Sequence, residues 1–218
     1  LPGMAQTEKL TDYVNPFVGT DGYGNVYPGA QIPFGGIQIS PDTDSRFYDA
    51  ASGYKYNHLT LMGFSLTHLS GTGIPDLGDF LFIPGTGEMK LEPGTHEDPD
   101  QGYRSRYSHD KEWASPNYYA VELADYGVKA EMTSGVRSGM FRFTYPESDN
   151  AFIMIDMNHT LWQSCEWSNL RMINDSTITG YKLVKGWGPE RHVYFTATFS
   201  KKLTGPVSYT HLRAHETK

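Results

Sequence analysis

The chain has 218 residues, of which 14% are aromatic and 20% charged, a composition typical of a folded globular protein rather than a disordered one. Its formal net charge of −7 argues against sequence-independent nucleic-acid binding and against a polybasic membrane patch, because both need clustered Lys and Arg. No apolar run approaches the roughly 20 residues of a transmembrane helix. The single cysteine excludes an intrachain disulfide.

The two ends of the chain differ in residue composition and pattern from the part between them. Residues 1–11 begin with Leu and resemble the end of a secretory signal running into a mature N-terminus. We predict a signal remnant or linker there, with an ordinary polar tail as the alternative. Residues 206–218, "PVSYTHLRAHETK", follow a clean strand pattern with little apolar content, and we predict a foreign tail whose histidines are not metal ligands. Residues 12–205 then form one domain.

The N-terminal part of this domain is rich in Gly, Pro and aromatic residues and has only short strand-like pieces, as in "NPFVGTDGYGNVYPGAQIPFGG". Long irregular segments in a compact domain are usually functional loops or disordered. Because the aromatic content argues against disorder, we predict a long loop-rich segment that lays an aromatic-lined surface over the rest of the domain.

The remainder of the domain has an apolar period of two. The runs "DFLFIPG" and "AFIMIDM" are continuously apolar, as in strands covered on both faces. Alternation in "YYAVELADY", "VKAEMT", "MFRFTY" and "HVYFTATFS" is typical of half-buried strands. It predicts that Phe141, Phe143, Val193 and Phe195 point inward. Short turn clusters separate these runs, and no amphipathic helix pattern occurs. We therefore predict an all-β fold, a large antiparallel β-sandwich of two sheets.

Polar residues cluster with tyrosines in the loop-rich segment. Asp, Asn, His and Ser side chains can bond sugar hydroxyls, while an aromatic face covers the apolar side of a pyranose ring. The alternative is that the polar residues cap turns and the tyrosines fill the core. We favour a sugar site with nine candidate residues: Thr20, Asp21, Gly22, Asn25, Tyr48, Asp49, His68, Ser70 and Gly71. Asp49, His68 and the turn 20–25 are expected to face one pocket.

Other chemical motifs are incomplete. "GTDGYGN" lacks the spacing of a dinucleotide-binding loop, and "GTGIPDLGD" lacks the Lys-Ser/Thr ending of a phosphate loop. Cys165 has no neighbouring base, and the histidines have no zinc spacing. Asp76 and Asp79 could share a cation, although carboxylates at a strand entrance explain them more simply.

Four segments resemble the N-terminal domain of glycoside hydrolase family 92: "VNPFVGTDGYGNVYPGAQIPFGGIQISPDT", "SGYKY", "GFSLTHLSGTGIPDLGDFLFIPG" and "YYAVELADYGVKAEMTSGVRSGMFRFTYP". The family's enzymes are exo-acting α-mannosidases with an N-terminal β-sandwich and a larger C-terminal (α/α)6 barrel. The resemblance implies calcium-dependent hydrolysis with inversion. It also implies mannose-containing glycans and the barrel as partners, and a secreted or periplasmic location in a bacterium.

The resemblance places the catalytic acid, the catalytic base and the calcium ligands in the barrel. We therefore assign no catalytic or metal-binding residue to this chain, and we expect it to be inactive by itself. Two departures from the family pattern concern the sugar site: Tyr48 replaces a usual Trp, and Leu66 replaces the first His of "GFSHTHLSG". A stand-alone carbohydrate-binding module and a purely structural sandwich remain the alternative functions.

Overall fold

The structure is a computed structural model that describes residues 9–45 and 48–204. Most of the predicted signal remnant (1–11) and the whole predicted foreign tail (206–218) lie outside the described residues. No helix in the described part of the chain is long and apolar enough to cross a membrane.

The described residues form short and long strands joined by turns. The strands are β1 (Ala30–Gln31), β2 (Gln38–Asp42), β3 (Thr60–Leu61), β4 (Gly63–Ser65), β5 (Leu81–Thr86), β6 (Ser105–Arg106), β7 (Glu112–Ser115), β8 (Tyr118–Leu123), β9 (Val128–Ser134), β10 (Gly139–Thr144), β11 (Ala151–Asp156), β12 (Ser164–Asn174), β13 (Thr177–Lys185) and β14 (Arg191–Thr198). Helical structure in the described ranges is confined to the 3-10 turns Leu10–Tyr13, Tyr48–Ala50, Pro99–Gln101 and His109–Lys111. The all-β prediction is confirmed.

The strands pair antiparallel in four sheets. One sheet has five strands in the order β1-β2-β4-β5-β11, and another has four in the order β10-β9-β8-β7. A third sheet has the order β12-β13-β14, and β3 pairs with β6. The N-terminal part contributes only strands of two to five residues up to Ser65, so the loop-rich prediction for this part is also confirmed.

The five-stranded and four-stranded sheets pack face to face and form the sandwich core. Ile39 and Phe64 from the first sheet share one buried cluster with Tyr119, Val121 and Met132 from the second. Alternation along β8 and β9 places these side chains inward because successive residues of a strand point to opposite faces. Burying side chains of this size contributes roughly 1.5–3 kcal/mol each.

The third sheet adds to the two-sheet architecture that the sequence predicts. Phe195 of β14 packs against Phe80 and Phe82, with ring centroids 4.5 and 5.7 Å apart. Val193 is half-buried on the same face of β14. Phe141 and Phe143 pack against the sandwich core as expected. All four predicted residues therefore point inward, but Val193 and Phe195 belong to the separate three-stranded sheet, because β14 pairs with β13 and not with the four-stranded sheet.

Candidate functional site

Two of the predicted loop segments meet at one surface. The backbone N–H of Gly71 donates to the carbonyl of Asn25 at 2.7 Å. Asn25 has a φ of +50°, a conformation that Asn adopts more readily than most residues. Its Nδ2 donates to the carbonyl of Tyr23 at 3.2 Å. The turn 20–25 and the segment 70–73 are thus held together by the backbone.

Tyr48 lies beside this junction. A Cβ atom on Gly73 would be 3.4 Å from the Tyr48 hydroxyl and 4.0 Å from Asn25 Nδ2, so the three residues are neighbours. The Tyr48 side chain is 51% exposed. The structure therefore brings three of the nine candidate residues together: Asn25, Tyr48 and Gly71. We call Asn25, Tyr48, Gly71, Gly73 and Trp162 the loop surface.

Trp162, like Gly73, belongs to the loop surface but is not among the nine residues predicted from the sequence. Its indole meets the Tyr48 ring edge to face, with centroids 6.0 Å apart and planes at 81°. The side chain is 60% exposed, and the backbone has a φ of +64°. An available signal was the tryptophan within the polar stretch "NHTLWQ" between two strands, but nothing local linked that stretch to Tyr48.

The prediction that His68 faces the same pocket is wrong. The side chain is only 3% exposed and lies under the loops. Its Nδ1 donates to the carbonyl of Gln38 at 2.7 Å, and its Nε2 lies 2.7 Å from a carboxylate oxygen of Asp42. The Nε2 atom also lies 3.0 Å from the Ser65 hydroxyl. His68 is a buried structural residue because Asp42 at the end of β2 supplies a charged partner.

Asp42 receives a second histidine on its other oxygen. His159 Nε2 lies 2.7 Å from Asp42 Oδ2, and the carboxylate is fully buried between the two rings. Burial alone raises the pKa of Asp42, but the charge of His68 and hydrogen bonds from both imidazoles outweigh it and hold the pKa well below its usual range. We call Asp42, His68 and His159 the aspartate cluster.

Gly53 shows why glycine is needed beside this cluster. It has a φ of +85°, and a Cβ atom there would lie 2.1 Å from Asp42 Oδ1. A side chain would therefore displace the carboxylate from His68. The absence of a side chain at Gly53 thus lets the Asp42 carboxylate keep its position beside His68.

The remaining predicted residues have different positions. Thr20 is buried, and its hydroxyl donates to the carbonyl of Phe17 at 2.8 Å. Asp21, Gly22 and Ser70 are exposed. Thr20 and Asp21 also border an open depression of about 370 Å³, whose lining does not include Tyr48 or Gly71.

Asp49 belongs to the 3-10 turn Tyr48–Ala50, and its side chain lies outside what the structure describes.

The carboxylates at the end of the glycine-rich run form ion pairs. Asp79 is buried, with Lys182 Nζ 3.1 Å from Oδ1 and Arg191 Nη1 bonded to Oδ2. Burial raises the pKa of Asp79, but the charges of Lys182 and Arg191 outweigh it and lower the pKa. Asp76 accepts a hydrogen bond from the backbone N–H of Leu77 at 2.6 Å.

These carboxylates do not fit a calcium site. Calcium takes six to eight oxygen ligands, whereas Asp79 is paired with Lys182 and Arg191 and Asp42 is occupied by two imidazoles. Among residues 9–45 and 48–204, no group of three His, Cys, Asp or Glu side chains could hold a metal ion. No step of a reaction in this chain is therefore assigned to calcium.

Comparison with known proteins identifies the family. A model described as "Glycosyl hydrolase family 92 N-terminal domain" matches residues 13–217. The chain belongs to glycosyl hydrolase family 92. The solved structure titled "Structure of the gh92 family glycosyl hydrolase ccman5" superposes with a TM-score of 0.71 at 28% identity, over 86% of this chain and 26% of that chain.

A curated relative comes from Arthroderma benhamiae. It is named "Uncharacterized secreted glycosidase" and is 30% identical over 139 residues, which is 63% of this chain and 17% of the relative. The chain thus spans about a quarter or less of the length of these two relatives. The family match also runs through most of 206–218, and the foreign origin of that tail stays a prediction.

Proposed function

We propose that this domain forms one wall of the sugar pocket of a larger α-mannosidase, which removes terminal α-mannose from glycans with inversion at the anomeric carbon. Membership of family 92 supports the hydrolase class. The observation that carries the sugar-binding role is the loop surface, where an exposed tyrosine lies beside Gly73 and an asparagine that Gly71 contacts through its backbone.

The polar atoms of the loop surface suit sugar hydroxyls. Asn25 Oδ1 is buried from water and accepts no hydrogen bond from a described residue. Because this oxygen is closed to a molecule the size of water, a sugar hydroxyl would bond it once the Asn25 amide rotates toward solvent. A hydroxyl beside Asn25 and the C–H face of the same ring against Tyr48 would satisfy both groups.

In this proposal the domain binds and orients the substrate, and the rest of the enzyme performs the bond cleavage. Inversion requires a general acid at the leaving oxygen and a general base that activates water on the opposite face. We place the acid, the base and the calcium ligands in the partner (α/α)6 domain. The contribution of this chain is to position the mannoside and exclude water, which lowers the entropic part of the barrier.

The proposed location is secreted or periplasmic, in a bacterium. The curated relative is named as a secreted glycosidase, which supports export. Mannose-rich glycans outside the cell are the expected substrates.

Activity assays test whether bond cleavage depends on the part of the enzyme outside this chain. A complete family 92 enzyme that carries this domain should hydrolyse an aryl α-mannoside, and proton NMR should show β-mannose as the first product. The 218-residue chain alone should release no product with or without calcium. Turnover by the chain alone would show that we have misplaced the acid and the base, and α-mannose as first product would rule out inversion.

A matched pair of variants of the complete enzyme tests the sugar contact. Asn25→Gly keeps the positive φ and removes the amide, and it should lower kcat/KM about two- to tenfold, because a neutral hydrogen bond contributes ~0.5–1.5 kcal/mol. Asn117 also has a positive φ, of +58°, in the turn between β7 and β8. Asn117→Gly should leave kcat/KM unchanged, and an equal loss in both variants would argue against a contact at Asn25.

A further inference from the structure

We propose that Trp162 is a sugar-binding platform that carries the second ring of an oligosaccharide whose terminal ring lies on Tyr48. This inference rests on the proposed function and adds a specificity-determining residue to it. A terminal mannose alone would contact Tyr48, and a longer glycan would contact both aromatic rings.

The angle between the two aromatic rings means that stacking on both of them takes two sugar rings. Their planes are 81° apart and their centroids 6.0 Å apart. A pyranose packs its flat C–H face on one aromatic plane, so a single ring cannot stack on both Tyr48 and Trp162. Both side chains retain more than half of their surface in solvent. Consecutive rings joined by a bent glycosidic linkage match two adjacent and nearly perpendicular platforms.

The backbone at Trp162 is strained in a way that points to function. A φ of +64° is unfavourable for a bulky residue, and such residues cluster at ligand sites where the surrounding structure holds them. Glycine or asparagine would adopt this conformation more readily. The chain instead carries its largest aromatic residue there with the side chain in solvent, where the indole gains little from packing.

The loop is held on both sides of Trp162. The N–H of the fully buried Leu161 donates to the carbonyl of Leu77 at 3.0 Å. Gln163 Nε2 donates to the carbonyl of Pro75 at 3.0 Å. These bonds fix the loop against the same glycine-rich segment that carries Gly71.

The aspartate cluster provides a further anchor. His159 binds Asp42 in the interior, three positions before Trp162. A platform fixed in advance binds with a smaller loss of conformational entropy than a mobile one. The indole is therefore presented to solvent by a rigid loop, as a preorganised contact requires.

Nitrogen-15 NMR of the indole groups in the 218-residue chain tests the proposal. The chain has four tryptophans, so four indole N–H signals are expected, and Trp→Phe variants assign them. The probes are methyl α-mannoside, α-mannobiose and maltose. Trp113 on β7 is the matched control, because its side chain is 65% exposed and its backbone φ is not positive.

We expect α-mannobiose to shift the Trp162 indole signal and leave that of Trp113 unchanged. Methyl α-mannoside should shift the amides of Gly71 and Gly73 with a smaller effect on Trp162. Trp162→Ala should weaken α-mannobiose binding about tenfold and leave methyl α-mannoside binding unchanged, whereas Trp113→Ala should affect neither sugar. The amide spectrum of each variant establishes that it is folded.

The possible outcomes separate this inference from the proposed function. If α-mannobiose shifts the amide signals of Gly71 and Gly73 but not the indole signal of Trp162, the role of Trp162 is refuted and the proposed mannose-binding function is supported. If maltose shifts the indole signal of Trp162 as strongly as α-mannobiose does, Trp162 binds sugars but the assignment to mannose is wrong. An equal response of Trp113 would overturn the platform, and no response to any sugar would overturn both proposals.

Discussion

Three of the four segments that form the loop surface also contribute a residue beside Asp42 in the interior, and only the turn 20–25 does not. The loop that carries Tyr48 outward places Gly53 against Asp42. The loop that exposes Gly71 sends His68 inward to the same carboxylate.

The third loop repeats this arrangement. It exposes Trp162 and sends His159 to Asp42. One buried carboxylate therefore anchors two of these loops through histidines and packs against Gly53 of the other, while exposed residues of all three belong to the candidate site. The residues of these three loops therefore have two functions. Charged groups in the interior hold the loops, while aromatic and amide groups at the surface remain available to a ligand.

The largest expected effect comes from removing the anchor. Asp42→Ala leaves two buried histidines without their carboxylate, and breaking a buried ion pair by removing one partner costs about 3–5 kcal/mol. Urea unfolding measures the change in the free energy of unfolding. The control is Asp100→Ala, because this carboxylate is 73% exposed and pairs with Arg106 at the surface, where a pair contributes ~0–1 kcal/mol. Similar costs in the two variants would contradict the anchoring role.

Acid should weaken the same anchor. The pKa of Asp42 is lowered in the folded protein, so its contribution to stability is fully present above the unfolded pKa of about 3.9 and is lost as pH falls below that value. Asp79 should act in the same direction. Urea unfolding at a series of pH values between 7 and 3 measures the slope. Asp42→Asn should show a shallower dependence than the original chain, and an unchanged slope would exclude Asp42 as a contributor.

A smaller loss is expected at His68. His68→Ala removes one of the two histidines on Asp42 and should lower the free energy of unfolding by about 1–3 kcal/mol, the cost of leaving a buried group unsatisfied. If His68 faced the sugar pocket instead, His68→Ala would lower kcat/KM for mannosides and leave folding nearly intact. Ser70→Ala, two positions away and exposed, should stay within about 0.5 kcal/mol. A stable His68→Ala protein with weakened mannoside binding would restore the original prediction.

The smallest effect concerns the strained backbone at Trp162. Trp162→Gly should be more stable than Trp162→Ala by about 1 kcal/mol, since alanine in the left-handed region costs roughly 1–2 kcal/mol. The order should reverse at Trp113 in β7, where glycine costs roughly 0.5–1 kcal/mol relative to alanine. Thermal unfolding of the four variants measures both differences. The same order at both positions would show that Trp162 is not strained.

Much of the fold could be predicted from local pattern. The alternation through Phe141, Phe143, Val193 and Phe195 indicated the buried face of each strand, and the structure buries that face. The third sheet could not be predicted, because strand alternation says which side is buried and not which strand is the neighbour.

The candidate site was predicted only in part. Asn25, Tyr48 and Gly71 lie together. Trp162 was missed because its partner Tyr48 lies far away in the sequence. His68 was misplaced because a histidine beside serine and glycine has the same local pattern whether it faces a ligand or the interior.

By itself, then, the sequence determined the all-β class, the buried faces of the strands and the loop-rich segment that carries the candidate site, because each depends on residues close together in the chain. The tertiary structure alone decided which polar groups became structural. Asp42 meets His68 from 26 residues away and His159 from 117. Whether a histidine is an anchor or a ligand contact depends on a charge that long-range packing brings to it, and the strength of that interaction depends on burial.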